Sequence, residues 1–228
     1  MRRFIGAKRG QVLILMAVVL VAILGLTFLA SVRTFKPTPK DPATAMAVLE
    51  AEADRAVFNA FAYASQREDS TLFRSSLLTE ARNIALAHYG ASVAIVNLQP
   101  PAFSWDDDNV GESKVSVNVS IAYAAYNLSW VNRYNHALRI QILELTREDL
   151  GAFTKLKFTV NFTLNSKPAL FNGANVTVGG ENYECQLTKN FGDGRLQLEA
   201  TVLFSSSISG SLAIEDASRV LVKCDFAA

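Results

Sequence analysis

Two histidines, two cysteines, an acidic turn and four Asn-x-Ser/Thr sequons are the features of this 228-residue chain with chemistry to offer. His88 and His136 lack the companions that a metal site or a nucleophilic centre needs, and no phosphate-cradling loop or nucleophile elbow occurs. His88 falls on the apolar side of a helical pattern and reads as a packing residue that finds its own hydrogen bond. Trp105-Asp106-Asp107-Asp108-Asn109 supplies hard oxygen donors without calcium-loop spacing, so it reads as a solvated acidic turn. Glu50, Glu52 and Asp54 read as the wet face of a helix. The chain therefore carries no catalytic residue, metal ligand or cofactor assignment, and it is read as non-enzymatic.

Cys185 and Cys224 share a phase in alternating segments: Tyr183, Cys185 and Leu187 point inward, as do Val220, Val222, Cys224 and Phe226. Outside a cell a Cys185–Cys224 disulfide would close a long loop and contribute roughly 3–4 kcal/mol in the chain-entropy model. Two separate buried thiols are the alternative. The sequons stand at Asn118, Asn127, Asn161 and Asn175, all candidates for N-glycosylation. Asn118, Asn161 and Asn175 fall at the solvent-facing phase of their strands, where a glycan projects freely.

The elements that must position these residues divide at residue 40. Val12 to Val32 is an uncharged apolar run, long enough at about 1.5 Å per residue to cross the roughly 30 Å hydrocarbon core of a bilayer. Basic residues precede it at Arg2, Arg3, Lys8 and Arg9, which places the N-terminus in the cytoplasm and the rest outside. A transmembrane helix is expected over 11–33, after a basic leader (1–10) and before a Pro-rich linker (34–42) whose prolines favour an extended spacer. Residues 41–228 hold 15 of the 22 Lys and Arg but all 21 Asp and Glu, a net charge of about −6. An acidic exterior part argues against nucleic acid as a partner, because phosphates demand a basic face.

Lys8-Arg9-Gly10-Gln11 followed at once by the apolar run resembles the class III signal of archaeal type IV pilin-like proteins. The resemblance implies a prepilin peptidase-like protease that cuts between Gly10 and Gln11, leaving the apolar segment on the mature chain. It further implies the lipid bilayer and other pilin-like subunits as partners. Many type IV pilins carry Glu at the fifth mature position, where this chain has Leu15. An uncleaved surface anchor presenting a binding or adhesion module is the competing reading, since any anchor needs a basic flank and an apolar segment.

Beyond the spacer the pattern predicts one helix over 43–66, with Met46, Leu49, Ala53, Val57, Ala60, Phe61 and Ala64 inward, and a second over 71–89. From Val115 onward the period falls to two, predicting half-buried strands around 115–123, 138–142 and 156–164. The expected fold class is α+β: a transmembrane helix, a helical pair on an antiparallel sheet over 43–150, then an all-β Ig-like sandwich over 151–228.

Overall fold

The computed structural model describes residues 41–88, 90–107, 109–203 and 208–227, together with Val19. Helix α1 (Pro42–Gln66) begins where its sequence caps it. Asp41 has extended backbone, and its carboxylate accepts from the Thr44 backbone N–H (2.8 Å) and the Thr44 hydroxyl (2.7 Å). Those two bonds, the backbone one first, hold its carboxyl below the usual range. Pro42 takes the first helical position, where its missing N–H costs nothing. The expected spacer thus ends earlier than residue 42.

Ala45, Leu49, Ala53, Val57, Ala60, Phe61 and Ala64 form the buried stripe of α1, at helical spacing. Its many alanines let the helix lie close to the sheet. After a turn at Arg67–Ser70, helix α2 (Leu72–Ala87) buries Phe73, Leu77, Ala81 and Ile84. The remainder is strand: β1 (Ala91–Asp107), β2 (Val110–Tyr123), β3 (Leu128–Leu150), β4 (Phe153–Leu164), β5 (Lys167–Pro168), β6 (Phe171–Val178), β7 (Glu181–Glu184), β8 (Gln186–Asn190), β9 (Arg195–Leu203), β10 (Ser209–Asp216) and β11 (Leu221–Ala227).

The pairing of these strands corrects the expected fold class. The large antiparallel sheet runs β1-β2-β3-β4-β9-β8, with β5 added to the end of β4, and a second sheet runs β11-β10-β6-β7. Residue 150, the expected boundary, sits in the hairpin between β3 and β4, whose pairing continues from Leu150↔Phe153 to Leu138↔Leu164. Strands β4, β8 and β9 therefore belong to the same sheet as β1–β3. The 151–228 stretch makes no Ig-like module of its own, and the described chain is a mainly β protein with two helices. Among the described residues no helix is long and apolar enough to cross a membrane. The expected leader, transmembrane helix and most of the spacer lie outside the described residues; Val19 alone of them is described, as helical.

Sheet edges explain why the merger is favourable. A hairpin that keeps its ladder intact leaves no unpaired backbone at the seam between two domains. The inner face of the large sheet is then covered in two parts. Helices α1 and α2 lie over β1, β2 and the first half of β3, while the second sheet faces β4, β9 and the far half. Leu49, Phe61, Ile121, Leu138, Phe158, Leu198, Leu212 and Val222 fall in one continuous buried cluster.

The second sheet is docked through β11. Gly111 on β2 lies so close to β11 that a Cβ there would fall 1.6 Å from the Lys223 carbonyl oxygen. The Asn109 N–H donates to the Asp225 carbonyl (2.9 Å), the Ser113 hydroxyl to the Leu221 carbonyl (2.8 Å), and the Leu221 N–H to the Ser65 hydroxyl at the end of α1 (2.9 Å). Lys223 pairs with Glu68 and lies 5.2 Å from the Trp105 ring centre. The free edge of β11 is thereby satisfied by β2 and α1.

Candidate functional site

The inward face of the large sheet is consumed by the core, which leaves its outward face to polar side chains. Strand alternation puts polar residues there in successive rows. Gln99, Ser116 and Asn135 sit opposite one another on β1, β2 and β3, as do Glu112, Arg139 and Thr163 on β2, β3 and β4; Gln141, Asn161 and Arg195 span β3, β4 and β9. Between the first two rows stands Ala137, and its small side chain leaves a depression.

Two grooves meet over it. One, of about 250 Å³, is bounded by Gln99, Pro100, Lys114, Ser116 and Asn135; the other, of about 290 Å³, by Glu112, Arg139, Gln141, Asn161 and Thr163. Ala137 and Asn165 line both. Asn165 and Ser166 (φ 51° and 63°) form the tight turn from β4 into β5, and Asn favours such left-handed backbone. Asn165 is pinned to β3 twice, donating its N–H to the Ala137 carbonyl and accepting the Ala137 N–H on Oδ1, both at 2.8 Å. The wall between the grooves is therefore rigid.

Charge in the grooves is unevenly compensated. Lys114 lies 3.2 Å from Glu112, while the Arg139 guanidinium makes no ion pair or hydrogen bond among the described residues. Further along the face, Lys155 and Lys157 share Glu199 (2.6 and 3.5 Å), and Arg195 is held by Asp193 (2.9 Å). Arg139 is exposed and stands cross-strand from Glu112.

Both histidines bind α1, His88 from the C-terminal end of α2 and His136 from the inward face of β3. His88 Nε2 lies 2.8 Å from Glu52 and His136 Nε2 3.0 Å from Asp54, with the Phe58 ring tilted by 31° against the His136 ring at 3.9 Å. Glu52 therefore ties α1 to the C-terminal end of α2, and Asp54, still largely exposed, ties α1 to β3. His136 Nδ1 is buried with no partner among the described residues, so a proton on Nε2 is the favoured arrangement: an orphaned acceptor costs less than an orphaned donor.

The remaining sequence candidates are dispersed. Gly10 and Gln11 lie outside the described residues. Asn118 and Asn161 are half-buried in the middle of the outward face, whereas Asn175 is exposed on β6 and Asn127 is exposed at the β2–β3 turn with φ 53°. No group of His, Cys, Asp or Glu that could hold a metal ion occurs among the described residues.

Cys185 and Cys224 are buried free thiols in the one core. Cys224 pairs with Leu212 on β10, Leu212 with Val176 on β6, and Cys185 bonds to Ala174 of the same β6. Three strand spacings, roughly 14 Å, thus part the two cysteines, beyond the reach of a disulfide. Shared inward phase placed them in one core but could not reveal the strands between them. Burial pushes both thiols up to about 12, so little reactive thiolate is present at pH 8. Iodoacetamide at pH 8 is expected to leave the native chain unlabelled and to add two groups after unfolding without reductant; a chain that stays unlabelled when unfolded would instead contain the bridge.

The grooves went unnoticed in the sequence because each residue is an ordinary polar strand position. A usable signal existed: amides, hydroxyls and charged side chains recur at the outward phase of β2, β3 and β4, and on β3 the small residue Ala137 interrupts Asn135 and Arg139. No protein-family model and no curated protein matches this chain. Among solved structures it is similar to the crystal structure of the S-layer protein SbsC domains 4 and 5, at 16% identity over 60% of this chain and 75% of that one, with a TM-score of 0.21. A TM-score that low establishes no shared fold.

Proposed function

We propose that this chain is a non-enzymatic, pilin-like protein of the cell surface, held at the membrane by its apolar N-terminal segment with the β-rich part outside. The observation that carries this reading is the order of Lys8-Arg9-Gly10-Gln11 and the uncharged run that follows it. The fold is compatible with display. The N-terminal half of α1 lies beside the start of β3, where Tyr134 donates its hydroxyl to the Glu50 carbonyl, and about 50 Å of strand separates Tyr134 from the β3–β4 turn. An anchor entering at Pro42 would therefore hold one end of the sheet and present the other.

Mass spectrometry of the intact protein from its native membrane, with its N-terminal peptide, tests the reading. A chain beginning at Gln11 is expected, and replacing Gly10 with a bulky residue should abolish the cut. A chain beginning at Met1 would favour an uncleaved surface anchor instead, a second reading supported by the polar grooves of the sheet.

The same placement makes the sequons testable. Glycan is expected at Asn127 and Asn175, where the side chain is exposed, and not at Asn118 or Asn161, which stand half-buried among neighbouring strands. Peptide mapping with Asn127→Gln and Asn175→Gln reads this directly. Glycan mass retained in the double variant would show that the folded sheet does not control acceptor choice.

A further inference from the structure

We propose that the open wedge between β7 and β9 receives an extended strand, residues 33–36 of a second copy of this chain, and so joins copies head to tail. This rests on the pilin-like reading, because a copy anchored in the same bilayer holds those residues at the wrong height.

The wedge arises where the chain changes sheets. β8 pairs with β9 from Asn190↔Leu196 only as far as Gln186↔Glu199. At Cys185 the backbone N–H turns to the Ala174 carbonyl of β6 (2.9 Å), which draws the preceding β7 into the second sheet. Residues 200–203 of β9 therefore have β4 on one side and no strand on the other, and β7 is likewise the last strand of its sheet. The gap measures about 500 Å³, within the range of clefts that hold a ligand, and Tyr183, Glu184, Gln186 and Thr201 line it. Unpaired N–H and C=O groups along such an edge are a template for another strand.

Side chains narrow the choice of strand. Leu150, Phe153 and Leu203 form one cross-strand row on the outward face, each about half exposed, and the row stops at the open edge of β9. An apolar side chain laid beside Leu203 would continue it, the kind of cross-strand pair that stabilises a sheet. The surrounding charge is acidic: Glu148, Glu181, Glu184 and Glu199 outnumber Lys155 and Lys157, both of which already pair with Glu199. The complement is an apolar residue flanked by basic ones.

Residues 33–40 read Arg-Thr-Phe-Lys-Pro-Thr-Pro-Lys, with three basic residues, no acidic one, and Phe35 between Arg33 and Lys36. Pro37 and Pro39 cannot donate to a ladder, so 33–36 is the part that pairs. Reach excludes the same chain. Eight residues span at most about 28 Å, whereas Thr201 lies level with Glu148, about 45 Å along β3 from Tyr134 beside the start of α1. A neighbour in the same bilayer falls equally short. Only a copy raised by about one sheet length brings these residues to the wedge, a heterologous contact that repeats without closing.

The full-length chain in detergent micelles is titrated against a fluorescent peptide of residues 31–40, read by anisotropy. Saturable binding is expected, weakened about tenfold or more by Phe35→Ser in the peptide or Leu203→Lys in the chain, and about threefold or more by Glu184→Lys. Leu86→Lys, at an exposed leucine on α2, should leave binding unchanged. Thermal unfolding accompanies each chain variant, and if Leu203→Lys lowers the melting temperature, the peptide variant and Glu184→Lys decide. Absence of binding, equal binding of the Phe35→Ser peptide, or full binding by Glu184→Lys overturns the proposal. No binding by a chain that starts at Gln11 removes the wedge contact and leaves the pilin-like reading intact; a start at Met1 with binding retained fails that reading alone.

Discussion

Gly111→Ala is expected to cost about 4 kcal/mol or more, the range reached when backbone has to move inside a core. The new Cβ would meet the Lys223 carbonyl oxygen at 1.6 Å, the Lys223 carbonyl carbon at 2.6 Å and Ile140 Cγ2 at 3.1 Å. Two of these three atoms are backbone of β11, which cannot rotate away as a side chain would. Relief requires lifting β11 off β2, and that breaks the Asn109–Asp225 and Ser113–Leu221 hydrogen bonds that close its edge. Chemical denaturation of the variant measures the loss. Gly173→Ala is the matched control: nothing lies within 4 Å of its Cβ position, so an effect within about 0.5 kcal/mol is expected. Equal effects at the two positions would show that the close approach of β11 to β2 is not part of the native fold.

Phe158→Ala is expected to remove about 3–5 kcal/mol and lower a single melting transition by on the order of 10 °C. Phe158 is fully buried on β4, the strand that carries the large sheet from β3 to β9, and it meets Phe226 of the second sheet edge-on at 5.0 Å. Truncation therefore opens a cavity against both sheets at once. Calorimetry distinguishes the organisation seen here from two separate domains divided near residue 150. One shared core gives one transition that shifts as a whole. Two transitions with only one shifted would restore the two-domain arrangement.

The helices were legible because their signals are local. The apolar residues from Leu49 to Ala64 recur at three and four, a period that no strand tolerates, whereas the Asp41–Pro42 cap was read as the end of the spacer. Strand phases were legible for the same reason: Val115, Val117, Val119, Ile121 and Tyr123 alternate with polar neighbours and are all buried. Pairing was not, since alternation says which face is wet but not which strand lies alongside. That gap produced the Ig-like module and the Cys185–Cys224 bridge, both of which assumed that the last third of the chain pairs within itself. It also hid the grooves, whose walls come from β1, β2, β3, β4 and the β4–β5 turn, positions up to 67 residues apart from Gln99 to Ser166.

The sequence by itself determined the element types, the two helices to within a few residues and the inward phase of most strands, together with the charge contrast between residues 1–40 and the remainder; strand lengths it missed, since the expected 138–142 is the middle of a strand running from Leu128 to Leu150. Helical period and strand alternation depend on neighbours within a few positions, so one chain read in order contains them. Only the tertiary structure decided that β3 and β4 continue one sheet, that Gly111 admits β11 within contact of β2, that Glu52 and Asp54 clasp the two histidines, and that Ala137 lies at the junction of two polar grooves. These depend on contacts between distant segments, chosen by the competition to bury apolar surface while leaving no backbone group unpaired.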